Sequence, residues 1–251
     1  MADESIARRA KRLAPFLKVA RPSAWGRTPV VFLLHGCGGP RPFIDDIARV
    51  IANAGATAVA IDSYAPRHIS RIEAFATVCT GLRFHGRERA GDLFAALHWA
   101  RGQEWADARK FAAVGWSHGS WTIMDALAFR STQEMERATG LADLPSEPLE
   151  GLSATLLVYP YANVGSWAGR RDWRLAPTST AIIAGADYIV GDTRAVLRRQ
   201  RARSPSLDLV VFEGATHAFE DRHAEDPRVR YNPAATAREH DMLRAMVAAL
   251  R

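Results

Sequence analysis

The stretch FAAVGWSHGS, residues 111–120, indicates the fold of this chain more directly than any other segment. Residues 111–117 form an apolar run with the character of a buried strand, and the residues that follow, to about Phe129, have helical spacing. Between the two lies GWSHG (115–119), which fits the pattern G-x-S-x-G. In that pattern a sharp turn from strand to helix lifts a serine hydroxyl clear of the sheet. An ordinary glycine-rich turn has the same letters, so the surrounding sequence decides between the two.

On both sides of this segment, apolar runs typical of buried strands alternate with helical patterns. The further strands are predicted at 30–36, 56–64, 154–161, 179–187 and 207–217, and the further helices at 43–54, 87–102, 191–203 and 233–250. Strands that alternate with helices predict an α/β fold with a mostly parallel central sheet and helices on both faces. A chain of 251 residues fits a single domain of this kind, over residues 1–251.

Two segments fall outside this alternation. Residues 1–28 are polar and basic, and we interpret them as an N-terminal extension. Residues 131–150 are polar and contain Pro145 and Pro148, which favours a surface excursion or a small cap.

The composition is that of a globular protein, because 48% of the residues are hydrophobic and 24% are charged. The formal net charge of +6 comes mostly from arginines spread along the chain, whereas a nucleic-acid-binding protein concentrates its basic residues on one element. No apolar run approaches the ~20 residues needed to cross a bilayer. The N-terminus also lacks the apolar stretch of a secretory signal. We therefore expect a cytoplasmic protein without nucleic-acid or membrane partners.

Three side chains at predicted strand ends form a candidate catalytic triad. A serine hydroxyl such as that of Ser117 needs an adjacent base, and His217 ends the last predicted strand. A histidine base needs a carboxylate to orient its ring, and Asp187 closes the fifth predicted strand. The order Ser, Asp, His is the one expected for such a sheet. The nearest substitutes are Asp192 as the acid and His223 as the base, and Asp187 also has the character of a helix cap.

The anionic intermediate of acyl transfer needs hydrogen-bond donors aimed at its oxygen. We expect one from the N–H of His118, which follows the serine, and one from the glycine-rich loop HGCGG (35–39). In that loop the Cys37 N–H is our first choice and the Gly36 N–H the second.

With these residues placed, the chain resembles the dienelactone hydrolase family of the α/β-hydrolase superfamily from about Val30 to Phe219. The matching segments are LLHGCGG (33–39), AIDSYAPR (60–67), the Arg-x-x-Asp pair Arg89 and Asp92, VGWSHGS (114–120), YPYA (159–162), AGADY (184–188) and GATHAF (214–219). One departure matters, because founding members have a cysteine nucleophile and a glutamate in the loop after the first strand. This chain has Ser117 and Gly36 there, so it is similar to a serine-containing, esterase-like branch.

The resemblance implies the α/β-hydrolase fold and the hydrolysis of carboxylic esters or lactones through an acyl-enzyme, with neither a metal nor an organic cofactor. The expected partner is a small-molecule ester or lactone, and the chain is expected to be a monomer or a homodimer. The same triad also serves amide or peptide hydrolysis and acyl transfer. A non-catalytic binding protein of this fold is a further alternative.

A few further residues are candidates for the walls of the pocket, and Arg67 is one because it follows the strand predicted at 56–64. We expect Gly36, Trp121 and Tyr161 to line the pocket, together with Arg67, which would meet an anionic group of the substrate. In this branch Cys37 and Cys79 fall where cysteines recur, which suggests a disulfide beside the oxyanion loop. In a cytoplasmic protein two free thiols are the expected state.

Overall fold

A computed structural model of the chain describes residues 4–23 and 26–251. The strands are β1 (Glu4–Ser5), β2 (Leu17–Ala20), β3 (Thr28–Leu34), β4 (Thr57–Ile61), β5 (Ala106–Trp116), β6 (Leu141–Ala142), β7 (Leu152–Val158), β8 (Thr178–Ala184) and β9 (Leu207–Phe212). The helices are α1 (Ile6–Leu13), α2 (Phe43–Ala54), α3 (Arg71–Glu73), α4 (Gly86–Arg101), α5 (His118–Leu127), α6 (Thr132–Thr139), α7 (Arg194–Arg203) and α8 (Pro233–Leu250). A π-helical turn, Ala74–Val78, follows α3.

The central sheet has seven strands in the order β2-β4-β3-β5-β7-β8-β9. Strand β2 is antiparallel to β4, and every other neighbouring pair in this sheet is parallel. The predicted α/β fold with a mostly parallel sheet is therefore confirmed. All residues of β3 are buried, as expected for a strand whose two faces are both covered by helices.

Alternate residues of the strands feed two separate apolar cores. One core lies against α4 and α5 and includes Phe32 and Phe111, whose rings meet edge to face with centroids 5.5 Å apart. The other lies against α2 and α8 and includes Trp116. Because successive side chains of a strand point to opposite faces, each strand contributes to both cores.

The N-terminal segment is part of the fold rather than an extension from it. Helix α1 starts at the cap Ser5, whose hydroxyl accepts the Arg8 N–H, and it buries Ile6 and Leu13 against the core beside α4. Strand β2 then completes the sheet as its edge. The interpretation of residues 1–28 as an extension is thus corrected for 4–23 and 26–28. The apolar side chains of α1 pack on the core, and β2 is bonded to the sheet.

Residues 131–150 also belong to the body of the domain. Helix α6 lies beside α4, and β6 forms a two-stranded parallel sheet with β1. Met135 and Leu141 are buried in the core. The segment is a packed excursion on the α4 side and contributes no residue to the cavity described below.

The parallel strands end earlier than the sequence predicts. Strand β9, for example, ends at Phe212 rather than at residue 217, and β8 ends at Ala184 rather than at residue 187. The candidate functional residues therefore lie in loops just beyond the carboxyl ends of the strands, where ligands bind in open α/β sheets.

None of the helices described by the structure is both long and apolar enough to span a bilayer.

Candidate active site

Ser117 occupies a strained turn between β5 and α5. Its φ is 51° and its ψ is −108°, values that non-glycine residues rarely adopt. The turn requires the two glycines of the motif. A Cβ on Gly115 would lie 2.4 Å from the Gly119 carbonyl carbon, and a Cβ on Gly119 would lie 2.0 Å from Leu34 O. The strand and the helix can approach this closely only when both positions lack a side chain.

The strand order brings the other candidate groups to the same edge of the sheet. Strand β5, which ends directly before Ser117, is central in the sheet. Strand β3 and the glycine-rich loop that follows it lie on one side. On the other side lie β7, β8 and β9, which are followed by Tyr159, Asp187 and His217.

Asp187 and His217 form a direct pair. The His217 Nδ1–H donates to Asp187 Oδ2 at 2.7 Å, and the side chain of Asp187 is 3% exposed. The second oxygen, Oδ1, accepts the N–H groups of Ile189 and Val190 at 2.9 and 3.1 Å. These bonds fix the carboxylate, which in turn fixes the plane of the imidazole and leaves its Nε2 as the proton acceptor.

The substitute acid and base lie elsewhere. Asp192 is 67% exposed in its side chain and accepts the Arg194 N–H. The N–H of His223 donates to Asp221 Oδ1, and His223 does not line the cavity beside Ser117. The structure therefore favours Asp187 and His217 over these alternatives.

Ser117 and His217 line the same cavity, which has a volume of about 750 Å³. Ser117 is 6% exposed and His217 is 9% exposed, so both are reached from this cavity rather than from open surface. Among the hydrogen bonds of the described residues, none joins the hydroxyl to the ring. Bonds of this kind often tighten only when substrate binds.

Two backbone N–H groups are available beside Ser117. The His118 N–H belongs to the first turn of α5, where N–H groups have no acceptor within the helix. The Cys37 N–H lies in the loop after β3, and it donates to no acceptor among the described residues. Gly36, Cys37 and His118 all line the cavity. The arrangement can present two donors to an oxygen bound next to Ser117.

A buried guanidinium joins both donor segments. Arg89 of α4 is fully buried, and its Nη1 donates to His35 O at 2.6 Å and to His118 Nδ1 at 3.2 Å. Its Nε donates to Ser63 Oγ at 3.0 Å. One side chain thereby ties the loop after β3 to the first residue of α5.

His118 is a neutral ring in this position. Burial, and then the charge of Arg89, lower its pKa to about 3. Because Nδ1 accepts from Arg89, the proton is on Nε2, which donates to Phe84 O at 2.9 Å. The ring therefore positions the backbone and is not a second base.

The predicted pocket residues differ in their positions. Trp121 and Tyr161 line the cavity with ring centroids 4.9 Å apart. Arg67 does not line it, which corrects our expectation that it meets the substrate. Its guanidinium instead binds the fully buried carboxylate of Asp92 through two bonds of 2.8 Å. A buried carboxylate needs such a partner, and Arg67 follows β4 on the side of α4.

The cysteines are joined. Cys37 and Cys79 form a disulfide with their Cα atoms 5.1 Å apart, so the expectation of free thiols is corrected. The bridge ties the loop after β3 to the end of the π-helical turn, and Phe75 and Val78 of that turn line the cavity. Disulfides persist in oxidising compartments and are rare in the cytosol, so the cytoplasmic location stays a prediction.

Sequence reasoning missed an acidic cluster behind His217. It consists of Glu220 and Glu239, which are 3% and 0% exposed and accept hydrogen bonds from Trp116 and Tyr159. A signal was present for Glu239. Glu239 lies at four-residue spacing within the buried stripe of α8 formed by Ala235, Leu243 and Val247. An apolar side chain is expected at such a position.

A sequence profile of the dienelactone hydrolase family matches residues 17–249. The chain belongs to the dienelactone hydrolase family. This dienelactone hydrolase family member has no match among curated proteins.

Solved structures show the same fold for this family member. A structure described as a dienelactone hydrolase, from Klebsiella pneumoniae, is 20% identical, with a TM-score of 0.70 and coverage of 92% of each chain. Esterase 2 of Thermogutta terrifontis, in its tabun-treated form, is 15% identical with a TM-score of 0.68, over 93% of this chain and 89% of the other. A dienelactone hydrolase-like promiscuous phosphotriesterase from metagenomic libraries is 19% identical with a TM-score of 0.63, over 93% and 98%.

Proposed function

We propose that this chain is a serine esterase that hydrolyses carboxylic esters or lactones through an acyl-enzyme. The observation that carries the proposal is the 2.7 Å pair of His217 with the buried Asp187, on the same cavity as the strained Ser117. Membership of a hydrolase family supports it independently.

The proposed reaction has two halves. The Ser117 oxygen attacks the ester carbonyl while His217 Nε2 takes the hydroxyl proton, and the alcohol leaves with that proton. His217 then deprotonates a water molecule that attacks the acyl-enzyme, and the acid is released as Ser117 recovers its proton. Asp187 orients the ring and stabilises the imidazolium in both halves. The N–H groups of Cys37 and His118 are assigned to the oxyanion.

The lining of the cavity supports substrates with apolar groups. Its walls contain aromatic and aliphatic side chains, namely Phe43, Phe75, Val78, Trp121, Tyr161 and Val190. Its three arginines are each paired with a carboxylate that also lines it: Arg41 with Asp221 at 2.7 Å, Arg71 with Glu225 at 3.6 Å and Arg228 with Asp226 at 2.6 Å. Together with the absence of the family's cysteine and glutamate, this lining favours uncharged esters over dienelactone itself.

The test combines labelling with turnover. We expect a fluorophosphonate probe to label the protein at Ser117 and p-nitrophenyl esters of increasing chain length to be hydrolysed. Ser117→Ala removes the attacking oxygen, so both signals are lost, whereas Ser146→Ala, at an exposed loop serine, retains them. Labelling that persists in Ser117→Ala, or a wild-type protein that neither labels nor turns over any ester, contradicts the proposal.

Amide hydrolysis and acyl transfer use the same catalytic groups, so the acyl acceptor needs its own measurement. Rates on an ester and an amide with the same acyl group distinguish ester hydrolysis from amide hydrolysis. Addition of an alcohol acceptor, with product analysis, separates hydrolysis from transfer. We expect the ester to be the faster substrate and water the principal acceptor.

A further inference from the structure

Two glutamates are buried together behind the proposed active site. Glu220 follows His217 by three residues in the loop after β9, and Glu239 lies on α8. They are 3% and 0% exposed, although glutamates are almost never buried unless they are paired. No basic side chain bonds to either one among the described residues, so the pair is not a salt bridge.

The two carboxyl groups converge on one indole. The Trp116 Nε1–H points to Glu220 Oε1 at 3.1 Å and to Glu239 Oε1 at 3.0 Å. Two carboxylates this close cannot both hold a negative charge in an apolar interior. Burial raises the pKa of both groups. The hydrogen bond from Glu239 then opposes that rise at Glu220, whereas the charge of Glu220, followed by the same hydrogen bond, adds to it at Glu239.

The remaining donors indicate which carboxyl carries the proton. The Tyr159 hydroxyl donates to Glu220 Oε2 at 2.9 Å, so both oxygens of Glu220 have donors. Glu239 Oε2 is buried and accepts from no donor among the described residues. The O–H of a neutral acid is itself a donor that needs an acceptor, so the oxygen that lacks an outside donor is the one that carries the proton, and it donates to Glu220. Glu220 is therefore the anion and Glu239 the acid.

The donors that hold Glu220 belong to the proposed site. Trp116 directly precedes Ser117. The ring of Tyr159 packs against that of His217, with centroids 4.5 Å apart, and Tyr159 has a φ of 34° at the end of β7. This strained backbone is held by a 2.8 Å bond from the Tyr159 N–H to Ile182 O. The anion on Glu220 therefore lies one aromatic ring away from the imidazole.

We propose that Glu220 and Glu239 are positioning residues that share a single proton, so that the one negative charge left on Glu220 acts across Tyr159 to favour the protonated form of His217. The role rests on the proposed function, because it assists the base of that reaction. An imidazolium forms at His217 each time Ser117 is deprotonated. A fixed, buried anion stabilises that cation more than a surface charge would.

The other charges around this region are accounted for by their own contacts. Asp187 binds His217 directly, Asp221 is paired with Arg41, and Asp226 is paired with Arg228. On the helix side, His240 follows Glu239, and burial lowers its pKa, so it is neutral near pH 7. The effect of the glutamate pair is therefore separable from that of Asp187 by substitution.

The test compares two substitutions of the same size. In Glu220→Gln the charge is lost, so we expect the acid limb of the kcat/KM profile for a p-nitrophenyl ester to move to lower pH by roughly one unit. Glu239→Gln replaces a neutral acid with a neutral amide, so we expect a much smaller shift. Equal shifts in the two variants, or no shift in Glu220→Gln, would overturn the proposal.

A second measurement needs neither activity nor the Glu220 variant. The infrared spectrum of the wild-type protein at pH 8 is expected to contain the carbonyl band of a protonated carboxylic acid, and Glu239→Gln is expected to lack it. A wild-type spectrum without the band overturns the proposal even if the enzyme is active. A band that is present in a protein without esterase activity refutes the proposed function and leaves the shared proton standing.

Discussion

The two sides of Ser117 carry opposite buried charges. On the side of β3 and α4 lies the guanidinium of Arg89, in contact with the neutral ring of His118 and the carbonyl of His35. On the side of β7, β8 and β9 lie the carboxylate of Asp187 and the pair Glu220 and Glu239.

This difference matches the charges that the proposed acyl transfer would create. In the proposed reaction, negative charge would develop on the substrate oxygen next to the loop after β3, and positive charge would develop on His217. Fixed charges of the opposite sign on each side stabilise both without reorganisation. Because they are buried, salt screens them little. The fold thereby places fixed charges of both signs beside the groups of the proposed reaction.

The largest expected effect breaks the anionic side. Asp187→Asn removes the carboxylate that holds the Nδ1–H tautomer of His217, so we expect kcat to fall by about 10⁴-fold. Asp192→Asn, the matched substitution at the exposed acid nearby, is expected to stay within twofold of wild type. Steady-state kinetics on a p-nitrophenyl ester provide the comparison. A similar loss of kcat in both variants would contradict the assignment of Asp187 as the acid that orients His217.

The next effect breaks the cationic side. Arg89→Met removes the charge and the bonds to His35 O and His118 Nδ1, so we expect kcat to fall by roughly 10²-fold with a smaller change in KM. Arg89→Lys keeps the charge but loses the planar guanidinium, so its kcat should lie between those of the wild type and Arg89→Met. Arg87, on the same helix, donates to Gly165 O instead, so Arg87→Met serves as the control. Equal losses at Arg87 and Arg89 would show that only the helix was disturbed.

A smaller effect concerns the contribution of the Cys37–Cys79 disulfide, which fixes the loop after β3, to thermal stability. The Cys37–Cys79 bridge closes a separation of 42 residues, for which chain entropy gives about 4 kcal/mol of stability. For a chain of this size that corresponds to roughly 10 °C in Tm. We expect reductant to lower the Tm of the wild type and not of a Cys37→Ala, Cys79→Ala double variant. An equal response of the two proteins would mean that the bridge does not form.

The smallest effect concerns an acid on the cationic side. Asp125 accepts from the Trp121 indole at 2.6 Å and from the Trp167 N–H at 3.0 Å. Burial raises its pKa to about 7, so between pH 4 and 7 the folded state keeps a proton that the unfolded chain has lost. Its contribution to the free energy of unfolding therefore falls as pH rises through that window.

Asp125→Asn removes this titration. Urea denaturation at pH 5, 6, 7 and 8 is expected to give a shallower decline for the variant than for the wild type. Asp241→Asn, at a side chain that is 77% exposed, should follow the wild type. Parallel curves for Asp125→Asn and the wild type would place the pKa of Asp125 near its ordinary value.

The nucleophile segment was predictable because its information is local. Gly115 and Gly119 are required by contacts within one turn, and the alternation of strands and helices follows from periodicity. Arg67 shows where this reasoning ends. Its place after β4 suggested a substrate contact, but the partner that decides its orientation, Asp92, lies 25 residues away on α4. No local pattern states which buried acid an arginine will meet.

The sequence by itself determined the fold class, the turn that presents Ser117 and the loops after β8 and β9 that contain Asp187 and His217, because each depends on residues adjacent along the chain. Only the tertiary structure decided the two charged sides of the site. Arg89 reaches segments 54 and 29 residues away, and Trp116 meets Glu220 and Glu239 over 104 and 123 residues. Whether a buried charge is paired, shared or neutral depends on its neighbours in space, and packing of the helices on the sheet sets those neighbours.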